Sequence, residues 1–162
     1  MDESPSAMDP VSLSNVPGVR AEQVVSGIWH SCALFSDRSV RCWGYRRFLG
    51  YGSGENIGDD ELPSSVGPVS VTSRPGVFVT SLTAGCYHTC ALLSDGRIEC
   101  WGSNAENQLG YAVPDVVGDN ELPSSYEDLA VSSTPGAHAV QLSAGWGHTC
   151  AALSDGSVSA GD

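Results

Sequence analysis

Three histidines each stand six residues ahead of a Ser-Asp pair: His30 before Ser36-Asp37, His88 before Ser94-Asp95, and His148 before Ser154-Asp155. These are the residue types of nucleophilic hydrolysis, in which one histidine takes the proton of one serine and one aspartate orients that histidine. Such an enzyme needs a single converging set. Here the trio recurs at constant spacing, so whatever explains it must hold three times over. A turn explains the Ser-Asp pair, because short oxygen side chains bond the backbone just ahead of them. Each histidine is then expected to be a buried, hydrogen-bonded structural side chain. No catalytic residue is assigned.

The six cysteines carry a second possible chemistry. Four form Cys-x9-Cys pairs, Cys32/Cys42 and Cys90/Cys100, which leaves Cys86 and Cys150 over. Cys86, His88, Cys90 and Cys100 together could ligate zinc. But Ile28 and Trp146 occupy the position of Cys86 in the related stretches, so that donor set does not recur. Disulfides Cys32–Cys42 and Cys90–Cys100 are expected instead, with Ala160 where a partner for Cys150 would stand. The acids Asp59, Asp60, Glu61, Asp119 and Glu121 offer oxygen ligands for calcium, but at no calcium-loop spacing, and are read as solvated turns. Gly50 to Gly54 is glycine-rich, without the lysine and helix of a phosphate loop. Neither metal nor cofactor is expected. Arg38, Arg41, Arg46 and Arg47 form a basic cluster, read as a solvated hairpin face; a contact patch for an acidic partner is the lesser alternative. Trp43 and Trp101 recur at one position and are expected to pack between structural units.

What positions these residues is a hairpin. Between His88 and Gly102, two apolar runs flank Ser94-Asp95-Gly96, a loop with glycine where the chain turns. Pairing Leu93 with Arg97 puts Leu92 opposite Ile98, Ala91 opposite Glu99, and Cys90 opposite Cys100. The last pair falls at a non-hydrogen-bonded site, where side chains approach most closely. The same unit begins at His30 and again at His148, offsets of 58 and 60 residues. Around it, Pro17–Gly27, Pro75–Gly85 and Pro135–Gly145 match, and Gly58-Asp-Asp-Glu-Leu-Pro-Ser-Ser65 matches Gly118-Asp-Asn-Glu-Leu-Pro-Ser-Ser125. A degraded copy of that linker opens the chain at Asp2 to Ser6. We divide the chain into repeat 1 (1–58), repeat 2 (59–118) and a truncated repeat 3 (119–162). Each repeat offers four short strands, in the second near Val69–Thr72, Val77–Ala84, His88–Leu93 and Arg97–Trp101. Four-stranded units repeating in an all-β sequence predict blades of a β-propeller.

Composition narrows the function. The chain has 162 residues and a net charge of −12, with 19 acids against seven Arg and no Lys. That balance repels phosphates and excludes nucleic acid and anionic membrane as expected partners. No apolar run is long enough for a membrane-spanning helix, and no signal peptide is visible. Paired cysteines imply an oxidising compartment, extracellular, periplasmic or cell-envelope; a slice of a longer exported protein would reconcile the two.

The set Gly85-x-x-His88-x-x-Ala91-Leu92, Asp95-Gly96-x-Ile98, Trp101-Gly102-x-Asn104 and Gln108-Leu109-Gly110 resembles the regulator of chromosome condensation repeat, in its bacterial, cysteine-containing form. The resemblance implies a propeller, typically of seven blades, that serves as a protein-binding platform. Three departures stand out: Arg38 replaces the turn glycine, Tyr45-Arg46-Arg47-Phe48 replaces the segment carrying Asn104 and Gln108, and the third hairpin ends Ser159-Ala160-Gly161-Asp162. We therefore expect three four-stranded blades of a partial propeller, acting as a non-enzymatic protein-binding segment of an exported bacterial repeat protein. Guanine-nucleotide exchange with chromatin docking, and a fragment of a polysaccharide-acting propeller enzyme, are the alternatives. The blade edges at the two ends are expected to be open to self-association, and the outer strand of the third hairpin to fray.

Overall fold

The computed structural model describes residues 11–52, 54–110, 115–126, 129 and 131–161. It contains three antiparallel sheets and, among the described residues, no α-helix. The first sheet holds β1 (Ala21–Ser26), β2 (His30–Phe35) and β3 (Val40–Gly44). The second holds β4 (Val79–Ala84), β5 (His88–Leu93), β6 (Ile98–Ser103) and β7 (Val116–Val117). The third holds β8 (Ala139–Ala144), β9 (Thr149–Leu153) and β10 (Val158–Gly161). The linker copy at Asp2 to Ser6 lies outside the described residues.

The hairpin register is the one the sequence predicts. Cys90 faces Cys100, Ala91 faces Glu99, Leu92 faces Ile98, and the Leu93 amide donates to the Arg97 carbonyl across the loop closure. Gly96 takes φ +79°, and Arg38 holds the same left-handed conformation at φ +70° without glycine's freedom. The loop Ser-Asp pairs do what turns ask of them. Asp37 accepts the amide and hydroxyl of Ser39, and Asp155 those of Ser157. Ser36, Ser94 and Ser154 each accept one backbone amide from the chain entering the innermost strand, at Arg20, Phe78 and His138. Those innermost strands share a second device, a bulge just before Gln23, Ser81 and Gln141.

The fourth strand is not where the spacing put it. Val69–Thr72 pairs with no strand of its own blade; the Val69 amide donates to the Val40 carbonyl on the outer edge of the preceding one. Leu129 does the same against Ile98. The outer edge is completed further along by β7 against β6, and by an isolated bridge between Ile57 and Gly44 in the first sheet. The reason is that β1, β4 and β8 are the inner strands, set side by side, so the edge needing cover is that of β3 and β6. The third sheet corrects a second expectation. Ser159, Ala160 and Gly161 pair with Ala151, Cys150 and Thr149, so this hairpin is formed through Gly161 despite its altered residues. Backbone pairing does not need the Glu-Cys-Trp side chains.

Blades pack through the segments between them. Trp101 is fully buried, and a side chain at Gly50 of the preceding linker would meet its indole. Trp43, with no blade before it among the described residues, is only half-buried. Successive linkers also touch: Ser124 donates its amide to Ser70 O, and Arg47 pairs with Asp119 at 3.7 Å. Val69, Leu82, Leu92 and Ile98 are buried in one continuous core that also takes Ala139 and Ala151 from the third blade.

Candidate protein-binding face

Two of the three recurrent histidines link to the next blade. Nε2 of His30 lies 2.9 Å from Thr89 Oγ1, and Nε2 of His88 lies 2.9 Å from Thr149 Oγ1. Both rings are buried, and burial pushes both imidazoles down to about 4. A backbone bond runs alongside each: Ile28 N to Cys86 O and Cys86 N to Trp146 O. Blades approach so closely here that a side chain at Gly27 would stand 2.6 Å from Gly85 O, and one at Gly85 the same distance from Gly145 O. His148 departs from the expectation of burial: it is exposed. A histidine is buried by the blade that follows it, and the described residues hold none after the third. Thr89 and Thr149 were missed in the sequence, although the run His-Ser/Thr-Cys, repeated three times, marks them.

Cys32 is joined to Cys42 and Cys90 to Cys100, while Cys86 and Cys150 are free and half-buried. The bridges lie under the histidine links, with Cys32 Sγ and Cys90 Sγ 3.7 Å from Thr89 and Thr149 Oγ1. Ala160 faces Cys150 at the register of the other two pairs.

The recurrent acids build turns. Glu61 accepts the Gly58 amide and Glu121 that of Gly118, each reaching back three residues before a Leu-Pro-Ser-Ser turn. Carboxylate oxygens of Asp59, Asp60 and Glu61 come within 4.8 Å of one another on the surface. The basic cluster is dispersed rather than a single solvated face. Arg38 pairs with Glu22, Arg47 with Asp119, Arg46 donates to Gly54 O, and Arg41 is buried and donates to Val66 O. The buried guanidinium is a correction. Strand alternation places position 41 under the linker, as it places Glu99 in the second blade, so it cannot reach water.

What the sequence did not announce is an aromatic ledge. Trp29 and Tyr87 come from the β1–β2 and β4–β5 loops, Tyr45 and Phe48 from the chain leaving β3, and all four meet on one face. Ring centroids of Trp29 and Tyr45 are 5.7 Å apart, Trp29 and Tyr87 5.5 Å, Tyr45 and Phe48 5.6 Å, and Phe48 and Tyr87 5.4 Å. The cause is the replaced segment. In the second blade Asn104 accepts the Leu109 amide and Gln108 O accepts the Thr149 hydroxyl. In the first, a 3-10 turn at Arg46–Phe48 puts a phenyl ring over His30 instead. Phe48 is buried, yet Trp29 is 56% and Tyr45 38% exposed. Beside them runs a groove of about 570 Å³ lined by Trp29, Tyr45, Asn56, Ile57 and Asp59. Trp146, in the corresponding loop of the third blade, is 67% exposed. Rigid aromatics left in water on a loop-bearing face suit contact with another molecule.

Comparison with known proteins gives a consistent picture. The family model of the "Regulator of chromosome condensation (RCC1) repeat" matches residues 21–46 and 79–108, and a second model of the same description matches 95–152. Protein pim1 of Schizosaccharomyces pombe is 32% identical over 92% of the chain and 27% of that protein's length. The ultraviolet-B receptor UVR8 of Arabidopsis thaliana is 27% identical over 98% of the chain and 33% of its own length. Among solved structures, human WBSCR16 superposes with a TM-score of 0.61 at 21% identity, covering 86% of this chain and 33% of that one. Prp20p of Saccharomyces cerevisiae, in a structure described together with its binding properties to Gsp1p and histones, superposes at 0.59 and 22% identity over 86% and 32%. The chain spans about a third of the length of these proteins.

Proposed function

The chain belongs to the regulator of chromosome condensation repeat family, and on that premise we propose that it is a non-enzymatic, protein-binding propeller segment whose docking surface is the aromatic ledge. The observation that carries this is the exposure of Trp29 and Tyr45 on rings otherwise locked together by Phe48 and Tyr87. A partner segment with apolar or aromatic anchors would lie along the adjoining groove. The two Cys-x9-Cys bridges support an exported protein of a bacterial cell envelope or surface. A regulator of the guanine-nucleotide-exchange or chromatin type is the second reading, favoured by the likeness to Prp20p, a protein described as binding Gsp1p and histones.

Affinity capture with the intact, disulfide-bonded chain, run in parallel with Trp29→Ala/Tyr45→Ala, tests it. Loss of a captured protein in the double variant, with unchanged thermal melting, is the expected result. A small GTPase whose nucleotide release the chain accelerates would favour the second reading. A partner captured equally by both forms would remove the ledge as the docking surface.

A further inference from the structure

Of the four arginines that stand close together in the sequence, two converge on one site. Arg46 and Arg47 line a pocket of about 310 Å³ with Tyr45, Gly54 and Asp119. One wall is the chain leaving the first blade, and the other is the turn that follows β7 in the second. The loop that carries the arginines is pinned. Gly44 and Ile57 exchange two backbone bonds at its base, and the Arg46 amide donates to Asn56 Oδ1 at 3.1 Å. The Tyr51 hydroxyl accepts the Cys42 amide and donates to the Cys42 carbonyl. Phe48 and Leu49, the next residues along, are buried. Both guanidiniums therefore stand on a backbone that needs little ordering when a ligand arrives.

Their donors are nearly unused. A guanidinium offers five N–H groups. Among the described residues, the Arg46 side chain makes one bond, from Nη1 to Gly54 O at 3.3 Å. Arg47 makes none within hydrogen-bond distance, its Nε standing 3.7 Å from Asp119 Oδ2. Both residues are exposed. Their two sequence neighbours are committed elsewhere: Arg41 donates to Val66 O in the core, and Arg38 pairs with Glu22 at 3.3 Å. Nor does the repeat call for the pair. Glu61 and Glu121 recur because each builds the same turn, but the second repeat has no arginine between Ser103 and Gln108.

Charge and shape select what would enter. Two guanidiniums against the Asp119 carboxylate leave the lining one positive charge in excess, in a chain whose net charge is −12. Glu55 follows Gly54 but does not line the pocket. A planar, singly charged carboxylate matches a guanidinium fork through paired N–H···O bonds. A phosphate brings close to two charges and must sit beside Asp119. We infer that this pocket receives an Asp or Glu side chain from an acidic segment of a protein partner, held by Arg46 and Arg47, with Asp119 keeping the Arg47 guanidinium in place. The inference rests on the protein-binding reading of the chain and not on the aromatic ledge.

Nuclear magnetic resonance of the intact, oxidised chain tests it, read on the arginine Nε–H signals. The probes are end-blocked Gly-Glu-Glu-Gly, the same peptide with Gln for Glu, and the same with phosphoserine for Glu. The Glu peptide is expected to shift the Arg46 and Arg47 signals with a Kd of about 0.1–1 mM, and the Gln peptide to bind about tenfold more weakly or worse. Arg46→Gln/Arg47→Gln should weaken the Glu peptide to the same degree, with an unchanged melting temperature because both side chains are exposed. Two controls should keep the Glu peptide: Arg38→Gln, an equal change of charge elsewhere, and Trp29→Ala, which breaks the ledge but lines no part of this pocket. Failure of the ledge and failure of this site are thus separate results. Signals that stay still at about 10 mM Glu peptide would overturn the inference, as would a Gln peptide that binds equally well. So would binding that survives in the double variant or is lost in either control. A phosphoserine peptide bound about tenfold tighter than the Glu peptide would also overturn it, by assigning the pocket to phosphate.

Discussion

At the scale of the residue, the two buried histidines make stability depend on pH. Each has a folded pKa near 4 against an ordinary value of 6.5. Above about pH 6.5 the imidazoles are neutral folded or unfolded, and the full stability is present. As pH falls from there toward 4, the unfolded chain binds protons that the folded chain refuses, so stability is lost across that window and levels off below it. The loss is up to about 3 kcal/mol per histidine. Urea unfolding at a series of pH values should show a midpoint that drops between pH 6.5 and 4; a flat profile would show that the rings are not held neutral. The link itself is testable through its acceptor. Thr89→Val keeps the shape but strips the hydroxyl from His30, at an expected cost of about 1–3 kcal/mol, while Thr89→Ser should cost clearly less. Both histidines were legible as structural from their repetition, but their partners lie 59 and 61 residues away and no local rule names them.

The element that matters most is the β2–β3 type hairpin, and its third copy lacks only one atom group to be cross-linked like the others. Cys150 faces Ala160 across β9 and β10. Ala160→Cys should therefore form a third bridge on air oxidation, read as loss of the Cys150 thiol on alkylation. The closed loop is short, so the gain is expected to be about 2–3 kcal/mol, seen as a higher melting temperature. Failure of the bridge to form would mean that β10 does not hold this register in solution. The hairpins were readable because a three-residue loop and strict alternation fix every pair between the two strands. The fourth strand was not, since Val69 and Leu129 pair with the blade before them, and a propensity reading cannot tell which edge a short extended segment will cover.

At the scale of the whole chain, charge argues against duplex DNA as a partner. With 19 acids against seven Arg, several of those Arg already paired or buried, no row of phosphates can be neutralised. No gel shift of duplex DNA is expected at physiological salt; a salt-sensitive shift at micromolar protein would contradict this. The blades themselves hold together through segments rather than strands alone: Trp101 against the Gly50 turn, Ser124 on Ser70, and the Arg47–Asp119 pair. A chain of three such blades buries its middle copy on both sides, as β5 shows by being buried along its whole length, whereas β9 is only partly so.

The sequence by itself determined the repeat, from matching stretches 58 and 60 residues apart, and the hairpin register, the cysteine pairing and the all-β architecture, from spacing within some 15 residues and period-two alternation. Only the tertiary structure decided where the outer edge strands go, that Arg41 is buried, that His148 is not, and that Trp29, Tyr45, Phe48 and Tyr87 share one face. Those outcomes depend on which blade stands beside which. Contacts between blades join residues about 60 positions apart, and burial there is set by the neighbour's presence and not by the residue's own type.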